Sequence, residues 1–234
     1  MYRTLDIIFP AFNESKILNR SVSTLHKFLV KRITIDWNII IAENGSSDRT
    51  LEIARSLSRQ YSNVIVRSYK KSGRGGAIKD CWLKSNADLV CYMDVDLSTD
   101  LEALPISLNL LEIHDFDVLI GSRLLPDSKV FGRSFKRDLI SKSYSFLFRK
   151  FLGTKFRDAQ CGFKLAKRES IIKILTKVKD NGWFFDTELL YRSEKMGLKI
   201  KELPVIWRDD RDSKVKILPT IVNDLIGLLR IKFL

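Results

Sequence analysis

Two carboxylates two residues apart, Asp94 and Asp96, follow the apolar run Leu89 to Met93. Where a buried strand runs out into solvent, both side chains can turn toward one ligand-bound divalent cation, and hard oxygen ligands suit Mg²⁺ or Mn²⁺. The chemistry implied is that of phosphates. Taken alone, the pair also reads as two solvated acids at a strand-to-loop junction, since short motifs recur by chance. Three further loops of suggestive composition set it apart.

Pro10-Ala11-Phe12-Asn13-Glu14 closes another apolar run. Phe12 can stack on a nucleoside base and Glu14 can hydrogen-bond a base or ribose, while Asn13 or Ser15 suits a helix N-cap. Glu43-Asn44-Gly45-Ser46-Ser47-Asp48 offers an acceptor and an amide able to read a base edge at Glu43 and Asn44. Gly45 suits positive φ there, and Ser46 or Ser47 suits a cap. Lys71-Ser72-Gly73-Arg74-Gly75-Gly76-Ala77 is a glycine-rich helix start, where backbone N–H groups and the helix dipole attract phosphate and Lys71 or Arg74 can touch a nucleotide. It lacks the GK[ST] ending of a P-loop and a full GxGxxG, so neither an ATPase nor a Rossmann dehydrogenase is indicated.

The elements that must position these loops follow from hydrophobic period. Strand-like runs at Leu5 to Phe9, Trp37 to Ala42, Val64 to Ser68, Leu89 to Met93 and Val118 to Gly121 alternate with helical periods at Ser15 to Val30, Ser47 to Gln60, Gly75 to Ser85 and Leu101 to His114. Such alternation predicts an α/β fold: a Rossmann-like, mostly parallel sheet with helices on both faces and ligands at the carboxyl ends of the strands. Beyond Gly121 the pattern blurs into a basic aromatic segment from Phe131 to Arg157, a turn near Gly162, a helix near Asp186 to Met196, a strand near Lys199 to Trp207 and a last helix from about Pro219. No linker or repeat interrupts the chain, so a single domain is expected, 1–121 binding the nucleotide and 122–234 facing the acceptor.

Composition narrows the partners. The 234 residues carry 41 basic and 28 acidic side chains, a net charge of +13 that favours nucleic acid, phosphorylated substrates or an anionic membrane. No nucleic-acid recognition motif accompanies the charge, so nucleic acid is not the expected partner. Cys81, Cys91 and Cys161 fit neither a zinc site nor a disulfide framework, which suits a reducing compartment. No secretory signal and no run of about 18 apolar residues is visible, so membrane contact is expected to be peripheral.

These loops occur in the order used by inverting family 2 glycosyltransferases of the GT-A fold, and the chain resembles the dolichyl-phosphate glucosyltransferase and dolichyl-phosphate mannose synthase branch. The matching pieces are PAFNE at Pro10 to Glu14, ENGSSD at Glu43 to Asp48, KSGRGGA at Lys71 to Ala77, MDVD at Met93 to Asp96 and GSR at Gly121 to Arg123. They continue with RDAQCGFKL at Arg157 to Leu165, WFFDTELL at Trp183 to Leu190 and WRDDRDSK at Trp207 to Lys214. The first four fit many members; DAQCGFK, WFFDTELL and the late SK are specific to the branch. The resemblance implies a nucleotide-sugar donor, UDP-glucose or GDP-mannose, and a polyprenyl (dolichyl) phosphate acceptor at the cytoplasmic face of a membrane.

Two departures matter. Glu43-Asn44 stands where two aspartates are usual, which leaves uracil and guanine open. Ser98 stands where mannose synthases place a metal-binding Gln.

By this reading Pro10, Phe12, Glu14, Glu43, Asn44, Gly73, Arg74 and Asp94 bind the nucleotide sugar, and Asp94 and Asp96 hold the cation, with Asp96 at the catalytic centre. Lys214 holds either the donor diphosphate or the acceptor phosphate. Arg123 is the first candidate to grip the acceptor phosphate, since its planar fork binds at two points, and Arg133 and Arg137 follow. The resemblance assigns Asp158, Gln160 and Trp183 to a sugar pocket and Asp186 to the active centre. Glu188, two residues from Asp186, cannot share its helix face.

Eight basic residues between Phe131 and Arg157, interleaved with Phe146, Leu147, Phe148, Phe151 and Leu152, suit an anionic bilayer. The last helix, with Ile221, Val222, Leu225, Ile226 and Leu229, suits either a bilayer or the core. The rival enzyme class is nucleotidyl transfer onto a sugar phosphate, which would release pyrophosphate.

Overall fold

The computed structural model describes residues 2–70, 73–209 and 217–233. Lys71 and Ser72, the stretch 210–216 and therefore Lys214 lie outside the described residues.

The first half alternates strand and helix as the sequence predicts: β1 (Thr4–Ala11), α1 (Leu18–Arg32), β2 (Asp36–Glu43), α2 (Thr50–Gln60), β3 (Val64–Ser68), α3 (Arg74–Lys84), β4 (Leu89–Met93), α4 (Ala103–Ile113) and β5 (Val118–Ser122). The second half adds β6 (Lys129–Phe131), α5 (Phe135–Leu152), β7 (Phe163–Lys167), α6 (Arg168–Leu175), α7 (Phe185–Lys195), β8 (Ile200–Pro204), β9 (Ile206–Arg208) and α8 (Ile217–Phe233).

Seven strands form one sheet in the order β3-β2-β1-β4-β7-β5-β8, and β6 pairs with β9 in a small separate ladder. The large sheet is parallel except for β7, which runs against both β4 and β5. Sequence reasoning predicts a turn here and misses both β7 and α6. The reason is length: five residues, two of them lysines, give too short an apolar run to declare a strand.

Successive residues of β1 feed opposite faces of the sheet, as the period of two demands. Ile7 and Phe9 join a core with Leu25 and Leu29 of α1, whereas Ile8 joins one with Trp82 of α3 and Phe148 of α5. All five residues of β4 are buried, as expected for a strand covered on both sides. The strand order reverses between β1 and β4, which makes their carboxyl ends the topological switch point where an open sheet leaves a crevice.

Candidate active site

That crevice is a cavity of about 810 Å³, in the range of small-molecule sites. Its walls include Pro10, Phe12 and Glu14 after β1, Asn44 and Asp48 after β2, Arg74 at the start of α3, and Asp94 and Asp96 after β4. The second half contributes Arg123, Arg133, Arg137, Tyr144, Gln160, Trp183, Asp186, Trp207 and Asp224. Residues up to 214 positions apart in sequence thus meet in one hollow, from Pro10 to Asp224.

The two loops nearest the base-reading positions are laced together. Ser46 Oγ accepts from the Asn13 N–H at 3.0 Å, and Asn13 Oδ1 accepts from the Ser47 N–H at 2.8 Å. The Glu14 N–H donates to Thr50 Oγ1 at 2.7 Å. Asn13 adopts φ of 55°, a left-handed conformation that Asn tolerates better than most residues. Neither Asn13 nor Ser15 caps α1, which starts later with Ile17 at its N-cap, and Arg49 rather than Ser46 or Ser47 precedes α2. Their side chains or backbone amides tie one loop to the other instead.

Three expectations are corrected here. Glu43 is 1% exposed and its carboxylate accepts from the Ser46 N–H and, at 2.7 Å, from Ser68 Oγ. It braces the loop from behind; Asn44 alone of the pair borders the cavity. Gly73 also stands off the cavity wall: it has φ of 75°, and a Cβ there would sit 2.2 Å from the Asn181 carbonyl oxygen. The glycine permits close packing of α3, and the Gly76 N–H goes to the Asn181 carbonyl at 3.0 Å instead of awaiting a phosphate. Asp158, third, is 2% exposed and gives both carboxylate oxygens to Arg123, so it supports the wall without forming it.

The acidic side is set by backbone. The Asp94 N–H donates to the Gly162 carbonyl at 3.0 Å, and a Cβ on Gly162 would lie 1.8 Å from Asp94 Oδ2, so only glycine lets the carboxylate occupy its place. Leu97 adopts φ of 55°, uncommon for a leucine, and its N–H returns to the Asp94 carbonyl at 3.0 Å. That tight turn lets the Ser98 N–H donate to Asp96 Oδ1 at 2.9 Å.

Arg74 crosses the cavity floor. Its Nη2 donates to Asp94 Oδ1 and its Nη1 to Asp186 Oδ2, both at 2.7 Å, with the guanidinium between the rings of Tyr92 and Trp183. Asp186 also receives Lys164 Nζ at 2.9 Å and the Tyr92 hydroxyl. Burial alone would push the Asp186 carboxyl up, but Lys164 and Arg74 outweigh it and hold it below the usual carboxylate range. With both oxygens engaged, Asp186 orients Arg74. Glu188, as its offset requires, faces elsewhere, toward Arg192 and Arg230 at 2.8 Å each. Lys164 and Tyr92 escape sequence reasoning; a lysine between Phe163 and Leu165 in a short apolar run is the signal that was there to read.

The basic side is built from side-chain pairs. Arg123 holds Asp158 through Nε at 2.7 Å and Nη2 at 2.8 Å and lies over the Trp207 ring. Burial opposes its charge, but Asp158 raises it further above its ordinary range. Arg137 donates to both oxygens of Asp209 at 2.9 Å. Arg133 also lies over Trp207, and its buried Nη1 has no hydrogen-bond partner among the described residues. Burial and the nearby Arg123 lower its pKa from the ordinary value, as befits a cation crowded by another cation.

The sequence profile described as Glycosyl transferase family 2 matches residues 6–175. The chain belongs to glycosyl transferase family 2. Glycosyltransferase AglD of Haloferax volcanii is 34% identical over 226 residues, covering 96% of this chain and 35% of its own length. A dolichyl-phosphate beta-glucosyltransferase of Drosophila melanogaster is 31% identical, covering 90% of this chain and 69% of its own length. Its human counterpart is 29% identical, over 91% and 70%. The chain thus spans about a third of AglD and somewhat over two thirds of the other two.

Among solved structures, glucosyl-3-phosphoglycerate synthase from Mycobacterium tuberculosis, in complex with Mn²⁺, uridine-diphosphate-glucose and glycerol 3-phosphate, superposes with a TM-score of 0.71 at 20% identity, over 98% of this chain and 80% of that one. The fold of this family 2 glycosyltransferase is therefore GT-A. Family membership sets aside both the nucleotidyltransferase and the nucleic-acid-binding readings.

Proposed function

We propose that this family 2 glycosyltransferase moves glucose from UDP-glucose to a polyprenyl (dolichyl) phosphate, with inversion, at the cytoplasmic face of a membrane that it touches peripherally. The observation that carries the proposal is one cavity whose wall presents the carboxylates of Asp94 and Asp96 together with the crowded guanidinium groups of Arg123 and Arg133. Similarity to the dolichyl-phosphate beta-glucosyltransferases supports the substrate pair, and the presence of Ser98 in place of Gln favours glucose over mannose.

The donor set fits Mg²⁺ or Mn²⁺. Asp94 and Asp96 offer hard carboxylate oxygens on the cavity wall, and the Ser98 hydroxyl beside them is buried without a hydrogen-bond partner among the described residues. No sulfur or imidazole competes in that set. The cation, when bound, supplies positive charge against the diphosphate as the glycosidic bond breaks.

The chain's own residues do the rest. Phe12, Glu14 and Asn44, all on the cavity wall, receive the nucleoside in this reading, and Trp183, 43% exposed, walls the sugar's side. Arg74, oriented by Asp186, brings a fixed positive charge to the diphosphate. Arg133, with Arg123 behind it and Arg137 beside it, receives the acceptor phosphate through its unpartnered N–H. An oxygen of that phosphate bonds to the anomeric carbon, and the electrons of the breaking carbon–oxygen bond leave with the nucleoside diphosphate. A phosphate monoester with a second pKa of about 6 is already ionised at neutral pH, so no general base is required.

Membrane contact is assigned to α5 and α8. Phe135, Leu139 and Phe146 of α5 are exposed, as are Val222, Leu225, Ile226, Leu229 and Phe233 of α8. The two helices meet where Phe151 packs on Phe233 and Lys232 Nζ donates to the Phe151 carbonyl at 2.8 Å. Exposed Lys136, Lys142, Arg149 and Lys150 add charge for an anionic surface. No helix among the described residues is long and apolar enough to cross a membrane.

The test is a donor panel of radiolabelled nucleotide sugars with polyprenyl phosphate and Mg²⁺ or Mn²⁺. Lipid-linked glucose from UDP-glucose is the expected product; no lipid-linked sugar with any donor would overturn the proposal.

A further inference from the structure

Asp224 has no part in the chemistry assigned so far, yet it sits on the cavity wall. It lies on the inward stripe of α8 with Gly227, Leu228 and Ile231, and is only 4% exposed. Gln160 Nε2 donates to its Oδ2 at 2.9 Å. Its Oδ1 is buried and has no hydrogen-bond partner among the described residues. A buried acceptor left in that condition is rare and costly, and in a cavity wall it points to a partner that arrives with a ligand.

The neighbours decide what kind of ligand. Asp180 and Asp186 both act on Asp224 electrostatically, and so does Tyr144 of α5. Asp186 is paired with Arg74 and Lys164, but no cation pairs with Asp224 among the described residues, so a phosphate finds its partners at the arginines instead. A cation finds its carboxylates at Asp94 and Asp96. What suits Asp224 is a neutral hydroxyl. Burial raises its carboxyl to about 7, Asp180 and Asp186 adding to this and the Gln160 hydrogen bond acting against it. At neutral pH the group is therefore part ionised and part protonated, and a hydroxyl can donate to the first form or accept from the second.

We propose that Asp224, oriented by Gln160, hydrogen-bonds one hydroxyl of the transferred hexose and so determines which sugar the enzyme accepts. The inference rests on the glycosyl-transfer reading above and deepens it. Gln160 is a positioning residue here, since its amide acts through Asp224.

The experiment measures kcat/KM for wild type, Asp224→Ala, Asp224→Asn and Gln160→Ala with UDP-glucose, its monodeoxy analogues and UDP-galactose. UDP binding by calorimetry and a thermal melt accompany each protein. The wild type should lose about 100-fold or more on one deoxy donor, the discrimination expected when a buried polar group is left unpaired. Asp224→Ala should lose a similar factor on UDP-glucose and nothing further on that deoxy donor. Its UDP affinity should stay within about two-fold, as for independent sites. Gln160→Ala should weaken the same discrimination without abolishing it.

If Asp224→Ala keeps the full wild-type penalty on every deoxy donor, the inference falls while the glycosyl-transfer reading stands. A uniform loss over all donors, together with weaker UDP binding or a lowered melt, overturns it in favour of a structural role; Asp224→Asn, which keeps the shape, guards against a folding defect posing as that result. A wild type that binds UDP but uses no hexose donor overturns both.

Discussion

The acidic and the basic side of the site hold their charges by different means. On the acidic side, backbone does the placing: Gly162 lets Asp94 in, and the left-handed Leu97 turns the chain so that Asp96 can be met by the Ser98 N–H. On the basic side, side chains place side chains, Arg123 on Asp158 and Arg137 on Asp209. Removing the exposed Asp96 should therefore cost function and little stability, whereas Asp94 is tied to the largely buried Arg74. Removing a side chain from the basic side should cost stability wherever it strands a buried partner.

Asp96→Ala is the sharpest way to break that contrast. Asp96 is exposed, so the variant should melt with the wild type while turnover falls by about 10³-fold or more, the scale of losing a principal charge-stabilising group. Retained transfer in the Mg²⁺ assay would detach the acidic side from the reaction.

Arg123→Ala should do the converse. It leaves the Asp158 carboxylate buried without its counter-charge, held among the described residues only by the backbone N–H groups of residues 123 and 160, at a cost of about 3–5 kcal/mol in denaturant unfolding. A variant as stable as wild type would mean that the pair contributes nothing to holding the second half in place.

Arg133→Ala separates function from support within the basic side, because its Nη1 has no partner to strand. Its stability should be close to wild type, while kcat/KM for polyprenyl phosphate falls by about 10–100-fold with UDP affinity unchanged, the loss of one charge-assisted hydrogen bond.

The most gradual expected effect is a pH dependence. The folded state holds the Asp224 proton up to about 7, against 3.8 for an ordinary aspartate, so this carboxyl is harmless at low pH and increasingly unfavourable as pH rises between those values. Asp224→Asn removes that burden. Its stability relative to wild type should improve by about 1–3 kcal/mol from pH 5 to pH 8, measured by urea unfolding. An improvement that does not change with pH would place the carboxyl in an ordinary environment.

Much of the first half was legible because local signals agree there. Apolar strands end in the chemically suggestive loops, and the predicted strands match β1 to β5 within a residue or two. What the sequence could not show is direction and depth. Glu43 and Asp158 have the right chemistry but face inward, a fact decided by tertiary partners such as Ser68 and Arg123. Helical spacing did reveal an apolar face on α8, yet Val222, Leu225, Ile226 and Leu229 turn out to be exposed, and the inward stripe is the one that carries Asp224. An acid at i with Leu228 at i+4 and Ile231 at i+7 was a signal open to the same periodic reading.

The reversed direction of β7 has one more consequence. Because it runs against its neighbours, the loop leading into it, not the one leaving it, arrives at the ligand rim, and that loop carries Asp158, Gln160 and Gly162. Three instructions are thereby written on five consecutive positions: how Arg123 is gripped, how Asp224 is aimed and how closely Asp94 is approached. A single insertion between Asp158 and Gly162 would shift all three at once while leaving the nucleoside-facing loops of β1 and β2 untouched, so this short span is where a change of sugar or acceptor could arise without a new donor base.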